Sequence, residues 1–575
     1  MTQPTRTTAD LPATQHAIRF VGPGQVVLDR SKPVVAPGPT QVLARVEAVG
    51  ICFSDTKLLH AFTAHPRKSE VLGGIDPAAL AEIPSYVPGE LPTVPGHEVA
   101  CRIVSVGSDV RHHRVGERCL VQTDYRHLPT ASANAAFGYD FEGGLQEYVL
   151  MDERVIMEPE TGERFLIPVG DAPSASAVAL LEPWACVEAS YTPRDRNAWL
   201  PGGRLLLVTD TNRRFQGLEE LLAGSRPGAV TIAAVDGAAR DALTRIVEPV
   251  GSPVTAIAEI GGLPPESFDD IVVFGTDADL VERLQTLLAP RGVIDLVLGG
   301  GRFGRPVAVD VGRIHYDLTR WVGTGGSSAV DGYAMVPADS ELRAGDHVAV
   351  IGAAGPMGLM HAVRTATCGL AGVDLVAVDI DADRLGHLAE IVAPLAAERG
   401  LPVAFLDSRT AVLVPGFSYV ALMVPAPALV AQSVDLAGHG ARINIFAGFA
   451  SGTRAALDLD VLITKGCYLL GTSGSGIADM KTVLAKLERG ELDPNISVDA
   501  VCGMAGVADA LAAVEARTSG GKIVVYPGLH DMGMIRLTEL AERVPTVGAA
   551  LHGGRWNRTA EEALLHAPDV APSAR

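Results

Sequence analysis

The sequence predicts an α/β protein with a β-rich N-terminal region followed by two doubly wound α/β segments. Three observations carry this. Up to about residue 150, short β-type runs alternate with Gly-Pro turns. From Ser174 the apolar period turns helical. After residue 200, apolar strands alternate with helical stretches, and their landmarks recur at an offset of 148 to 149 residues. At 575 residues the chain is too long for one core, so several domains are expected.

The elements follow in order. Residues 1–15 are polar and read as a disordered lead. The strands Ala17–Phe20, Gln25–Leu28 and Gln41–Val46 are separated by Gly22-Pro23-Gly24 and Pro37-Gly38-Pro39, and Arg118–Val121 and Leu145–Val149 continue the set. Ala175–Leu181 begins a helix that carries Glu182-Pro183. The first α/β segment opens at Pro201–Val208 and the second at Ala344–Ile351. Phe268–Val273 matches Phe417–Leu422, Gly292 matches Gly440, and Trp321–Thr324 matches Leu469–Thr472, so the second segment reads as a duplicate of the first. A helix over Ile477–Arg489 and a strand over Gly521–Pro527 close the fold. The tail from Leu529 has helical spacing at Leu537, Leu540, Val544 and Val547, which fits a lid, a dimer contact or surface cladding, cladding being the commonest outcome.

Composition narrows the function. Hydrophobic residues make up 47% and charged residues 20%, as in ordinary globular proteins. The net charge of −20, with no Lys/Arg cluster, argues against nucleic acid or an anionic membrane as partner. The seven cysteines are scattered and odd in number, without CxxC, as expected of a reduced cytoplasmic protein rather than a disulfide framework. No signal-type or membrane-spanning apolar run is present. A small-molecule substrate is the expected partner, and self-association is left open.

Three motifs carry chemistry. Gly50-Ile51-Cys52-Phe53-Ser54-Asp55 ends an apolar strand, Pro95-Gly96-His97-Glu98 follows a rigid turn, and Glu182-Pro183 sits on the predicted helix. Buried cysteines are common in cores, so Cys52 alone says little. Together, Cys52, His97 and Glu182 offer thiolate, imidazole and carboxylate, the donor types zinc accepts. Glu98 could ligate or stand one shell out, and Asp55 could accept a hydrogen bond from a ligating imidazole.

A fourth motif, Gly352-Ala353-Ala354-Gly355-Pro356-Met357-Gly358, lies between a strand and a helix, where a pyrophosphate can approach the backbone. The first glycine of the usual GxGxxG pattern falls on Ala353, with Gly352 one position early. Asp379, at the end of the next strand, can bind ribose hydroxyls and repel a 2′-phosphate, which favours NAD over NADP. In the first copy the equivalent turn, Val208–Arg214, has no glycine, and Asp236 there reads as a helix cap. That copy is expected to be degenerate.

The Cys52, His97-Glu98 and Glu182-Pro183 motifs resemble those of zinc-dependent medium-chain dehydrogenases of the sorbitol dehydrogenase type. Ala354–Gly358, Asp379-Ile380-Asp381 with Arg384-Leu385, Gly471–Gly474, Asp479-Met480-Lys481 and the aromatic segment Phe137–Gly144 are similar to those of sorbose-1-phosphate reductases. The likeness covers residues 16–185 and 344–528. It implies a GroES-like catalytic domain over 16–185, closed by a return segment over 476–528. It also implies an NAD-binding Rossmann domain over 331–475, leaving a degenerate Rossmann-like copy over 186–330 and an extension over 529–575. One catalytic zinc on Cys52, His97 and Glu182 (or Glu98) is implied, with Ser54 as proton relay and Lys57 as its continuation or a plain surface lysine. Gly352, Ala353, Gly355, Pro356, Met357, Gly358, Asp379 and Arg384 would hold NAD. The family's structural zinc uses four closely spaced cysteines, and residues 122–144 contain none, so no structural zinc is expected. The implied reaction is hydride transfer between NAD(H) and a polyol, sugar or sugar-phosphate alcohol/ketone. The rivals are an amino-alcohol or threonine-type dehydrogenase, and a non-catalytic NAD-binding sensor or scaffold.

Overall fold

The computed structural model describes residues 11–210, 215–234, 236–450 and 452–567. Residues 1–10 of the expected lead, 211–214 of the first-copy turn and the end of the tail lie outside these. The chain divides into two compact units, one of residues 1–188 with 474–575 and one of residues 189–473.

The first unit is built on an eight-stranded sheet. Its central strand, Gln41–Gly50, pairs antiparallel with Glu98–Val106, with Tyr148–Asp152 and with the late strand Lys522–Val525. Strand Gln41–Gly50 is buried along nearly its whole length, with only Arg45 and Glu47 partly exposed. The N-terminal strand starts at Thr14, so the lead is shorter than its polar composition suggests. Gln15 is already tied to Gln146 and to the Tyr148 amide. The strand expected from Leu145 begins only at Tyr148, because Gly143 and Gly144 turn the chain back over Pro95 and Gly96.

The C-terminal extension is not one amphipathic helix. Pro545 ends the turn Leu540–Arg543 and starts another over Pro545–Gly548, while Leu540, Val544 and Val547 still reach the core. Nor is it passive cladding. From the helix Arg558–Leu565, the buried Glu561 carboxylate accepts hydrogen bonds from the Ala175 and Ser176 amides (2.6 and 2.8 Å) and the Tyr526 hydroxyl (2.9 Å). The buried Trp556 indole donates to Ser176 and Tyr526. Glu561 thus caps the short helix that leads into Glu182. Glu561→Ala strands three buried donors, at a cost of about 3 kcal/mol. The expected result is a lower denaturation midpoint and faster proteolytic release of the segment after residue 529. An unchanged midpoint would show that the extension is held by its apolar contacts alone.

The second unit contains two six-stranded parallel sheets of identical strand order. In the first, the spatial order is Val254–Ile257, Ala229–Ala234, Arg204–Thr209, Phe268–Phe274, Leu288–Val297, Arg320–Thr324. In the second it is Val403–Asp407, Asp374–Asp379, His347–Ile351, Phe417–Leu422, Ala437–Ile445, Tyr468–Leu470. Both follow the doubly wound order. Even an irregularity is shared. The pairing of Phe268 with Leu288 jumps to Asp270 with Val293, and that of Phe417 with Ala437 jumps to Tyr419 with Arg442, all four residues displaced by 149. The two copies thus share a register slip as well as a strand order, in keeping with the expected duplication. Tyr333 and Val336 pack in the first copy's core, which carries that copy past the expected boundary at residue 330.

The copies also pair with each other. Val307–Asp310 runs antiparallel to Arg454–Leu457, and the two segments are equivalents: Asp310 and Asp458, 148 residues apart, each cap the helix that follows. Ala308 faces Ala456, its own equivalent, while Val307 faces Leu457 and Val309 faces Ala455. Such self-reciprocal pairing marks a local two-fold axis between the copies. A single apolar core, from Leu206 to Leu469, includes residues of both.

Candidate active site

The strand Gln41–Gly50 delivers Ile51 and Cys52 to its end, and Cys52 caps the helix Phe53–Ala61. The neighbouring strand starts at Glu98, directly opposite Gly50. A Cβ on Gly50 would lie 2.0 Å from Glu98 Oε2, so only glycine lets this carboxylate lie against the backbone. Gly96, at φ +93°, makes the turn that presents His97.

Ligand-type atoms of Cys52, His97 and Glu98 all lie within 4.8 Å of one another. Asp55 orders this cluster. Its carboxylate accepts from the Cys52 amide at 2.9 Å and the Gly96 amide at 3.3 Å, and lies 3.2 Å from His97 Nδ1. That contact leaves His97 Nε2 facing the cluster, where the Ser54 hydroxyl sits 3.2 Å away and also donates to Cys52 Sγ at 3.0 Å. Burial works against a charge on His97, but the Asp55 carboxylate, followed by Tyr139, holds the imidazole well above its ordinary range.

Glu182 lies outside the 4.8 Å set, yet it is buried and senses the same charges. Burial pushes its carboxyl up to about 7; His97 opposes this and Glu98 adds to it. The least legible member is Lys522, from the late strand of the same sheet. Its ammonium pairs with Glu98 Oε1 and donates to the Ile51 carbonyl at 3.2 Å. Burial lowers its proton affinity, but Glu98 and Cys52 more than restore it. Lys57, in contrast, is exposed, with its ammonium 5.8 Å from the Phe53 ring centroid. The structure does not bring it into the cluster.

These residues fit a dication. Glu98 Oε2 is buried without a hydrogen-bond partner among the described residues, beside a thiol and an imidazole at ligating separation. Asp55, Glu98 and Glu182 bring three buried carboxyl groups to this cluster, and a divalent ion would offset carboxylate charge there beside the Lys522 ammonium.

A second ring of side chains surrounds this cluster. The Tyr139 ring lies 5.7 Å from that of His97 and 5.0 Å from that of His65, and the Arg67 guanidinium lies 5.8 Å from Tyr139 and pairs with Asp124 at 3.1 Å. Burial, then Arg67, Lys57 and His97, lower the His65 imidazole to about 4, so it stays neutral at ordinary pH. Beside Tyr139, burial lifts the Asp140 carboxyl to about 7 even though its Oδ1 accepts the Ala136 amide. A carboxyl raised from its unfolded value near 4 stabilises the fold in its neutral form. That contribution is whole below about pH 4 and is lost as pH rises to about 7. Asp140→Asn should therefore raise the melting temperature at pH 8 and flatten its fall between pH 4 and 7. A parallel pH profile in the variant would refute the assignment.

The nucleotide-type turn follows the strand His347–Ile351 in the second copy. Gly352 takes φ +82° and Gly355 caps the helix Pro356–Ala366. The positive φ falls on Gly352, which is why alanine is tolerated at 353. A Cβ on Gly358 would lie 2.2 Å from the Gly352 carbonyl, so this glycine sets the approach of helix to turn. Met357 and Pro356 lie in the first turn of that helix. Asp379 accepts from the Ala354 amide at 2.9 Å and meets Arg384 Nη2 at 3.4 Å. In the first copy Asp236 caps the helix Gly237–Val247 through the Ala239 amide.

Residues 38–160 match the alcohol dehydrogenase GroES-like domain family. L-sorbose 1-phosphate reductase of Klebsiella pneumoniae is 28% identical over 366 residues, 56% of this chain and 78% of that protein. D-altritol 5-dehydrogenase of Agrobacterium fabrum is 30% identical over 182 residues, 30% of this chain and 44% of that protein. The uncharacterized protein YggP of Escherichia coli is 25% identical over 245 residues, 39% of this chain and 57% of that one. The chain thus spans about half the length of the last two. Among solved structures, 2R,3R-butanediol dehydrogenase from Bacillus subtilis aligns with a TM-score of 0.50 at 16% identity, covering 89% of this chain and 100% of that one, a likeness of fold. Residues 38–160 are an alcohol dehydrogenase GroES-like domain, in a chain that resembles zinc-type alcohol and polyol dehydrogenases and shares their fold. No helix among the described residues is long and apolar enough to cross a membrane.

Proposed function

We propose that this protein is a zinc-dependent oxidoreductase acting between NAD(H) and a polyol, sugar or sugar-phosphate alcohol/ketone pair. The observation that carries the reading is the convergence of Cys52, His97 and Glu98 around the orphaned Glu98 oxygen, with Glu182 buried nearby. Cys52 and His97 would hold zinc, with Glu98 or Glu182 supplying the carboxylate. When bound, zinc supplies Lewis-acid polarisation of the substrate oxygen, and NAD carries the hydride.

The chain's own groups do the rest. Ser54 Oγ, hydrogen-bonded at the cluster and half-buried, would relay the proton of the substrate hydroxyl, accepting it while passing its own proton to solvent, and the reverse when a carbonyl is reduced. Asp55 fixes the His97 ring and turns Nε2, in contact with the Ser54 hydroxyl, toward the cluster. Tyr139 and the neutral His65 offer a polar wall, and Arg67 offers a cation, which suits a substrate rich in hydroxyls or bearing a phosphate. In the cofactor half, Gly352, Ala353, Gly355, Pro356, Met357 and Gly358 would receive the pyrophosphate, and Asp379 the ribose hydroxyls.

The decisive experiment is a turnover screen of polyols, sugars and their phosphates, with amino alcohols as the competing class, using NAD and NADP. Expected are NAD-linked turnover of a polyol-type substrate and about one zinc at the Cys52 site. Asp379→Ala should weaken NADH binding and narrow the preference over NADPH, because the carboxylate that would bind the ribose hydroxyls and repel a 2′-phosphate is removed. Tight NADH binding without zinc or turnover would leave only a sensor or scaffold role.

A further inference from the structure

A second cluster of ligand-type side chains lies in the first unit and has no part in the proposed reaction. His16, Glu147 and His530 bring their ligating atoms within 4.8 Å of one another, and all three are half-buried rather than sealed. They come from three distant segments. His16 belongs to the N-terminal strand Thr14–Gly22, at a register shift between Gln15 and Ala17 that turns its side chain out of the regular ladder. Glu147 immediately precedes the strand Tyr148–Asp152. His530 opens the C-terminal extension, fixed there by the Ala505 amide on its carbonyl.

The geometry points to a second metal site, for zinc or a similar imidazole-binding dication, on His16, Glu147 and His530. Glu147 is held by the His16 amide at 2.7 Å, which leaves both carboxylate oxygens beside the rings. His16 Nδ1 lies 3.4 Å from Oε2 and His530 Nε2 lies 2.9 Å from Oε1. Bonds of about 2.1 Å from a tetrahedral zinc to N and O place such donors about 3.4 Å apart. The His16 contact, to Oε2, is already of that size, and the His530 contact, to Oε1, is about half an ångström shorter; the third pair, between the two imidazole nitrogens, lies within 4.8 Å. The two imidazoles stack with centroids 3.9 Å apart at 21°, so the rings would turn about their Cβ–Cγ bonds to aim both nitrogen lone pairs at one ion. An all-oxygen-preferring ion such as Mg²⁺ or Ca²⁺ is disfavoured by two imidazoles. With three protein donors and solvent access, water completes the shell. The ion would clamp the start of the C-terminal extension to the N-terminal hairpin, a structural role independent of the proposed catalysis.

The test is metal stoichiometry on the full chain. Protein equilibrated with Zn²⁺ and then gel-filtered should hold two ions per chain, falling to one in His530→Ala and to one in Cys52→Ser. Cobalt separates the sites: in His530→Ala the Co²⁺ protein keeps a thiolate charge-transfer band, and in Cys52→Ser it shows d–d absorption without that band. Added Zn²⁺ should raise the melting temperature of Cys52→Ser but not of Cys52→Ser/His530→Ala. His16→Gln provides a second removal of the site should His530→Ala fold poorly. Unchanged stoichiometry in both His530→Ala and His16→Gln, or d–d absorption that survives them in the Cys52→Ser background, would overturn the site. Loss of the Cys52 ion alone would instead count against the proposed function.

Discussion

Cys52→Ala is expected to lower turnover about a thousandfold, roughly 4 kcal/mol of transition-state stabilisation, and to remove one zinc per chain. The size follows from position. Cys52 is the cluster's thiol donor, and its amide is held by the same Asp55 that orders His97. Removing the sulfur leaves an imidazole and carboxylates, a poorer match to zinc, while the backbone that places them is unchanged. The fold should survive, because Cys52 is only partly buried and its capping interaction runs through the backbone and Asp55. Metal analysis beside steady-state kinetics makes the check. Full activity in a zinc-free Cys52→Ala protein would end the zinc reading, whereas lost zinc with retained NADH binding would support it.

Lys522→Met is expected to be the most damaging single change to stability, about 3–5 kcal/mol. Glu98 is fully buried; one of its oxygens is paired only with Lys522 and the other has no partner among the described residues. Deleting the ammonium leaves the buried Glu98 carboxylate beside Glu182 without its paired cation. It also frees the Ile51 carbonyl next to Cys52. The double variant Glu98→Gln/Lys522→Met removes both charges and should recover a large part of the loss, since replacing a buried pair by neutral groups is far less costly than breaking it. Denaturant midpoints of the two single variants and the double would measure the coupling. Additive losses would mean that the two side chains do not depend on each other.

The donors of the candidate site were legible because each sits in a short local motif: glycine and cysteine before Ser-Asp, Pro-Gly before His-Glu, and Glu before Pro on a helix. The duplicated α/β plan was legible for a similar reason, since buried parallel strands leave apolar runs whose spacing survives divergence. Lys522 was not. It lies 424 residues from Glu98, in a run of apolar β-formers where lysine ordinarily marks a solvent-facing position. Its burial is decided by a pairing between strands that no local pattern records. His65 and Arg67 carry no motif, and their place beside Tyr139 depends on how the loop folds back. Glu561 reads as one acid in a charged surface helix, and only the tertiary fold turns it toward the amides of Ala175 and Ser176. The helical spacing of the extension does not mark its break at Pro545, where the missing backbone donor divides Leu540–Arg543 from Pro545–Gly548.

The contact in which Ala308 meets Ala456 makes the first copy indispensable even without cofactor chemistry. Excising residues 186–330 would strip Arg454–Leu457 of its backbone partners and uncover the apolar surface now shared across the pair. The remaining Rossmann unit would carry a raw strand edge, of the kind through which chains join into aggregates. A duplicate in this position is free to lose its glycine turn and its ribose-binding acid, but not its outline. What it retains is the shape of the face opposite its twin.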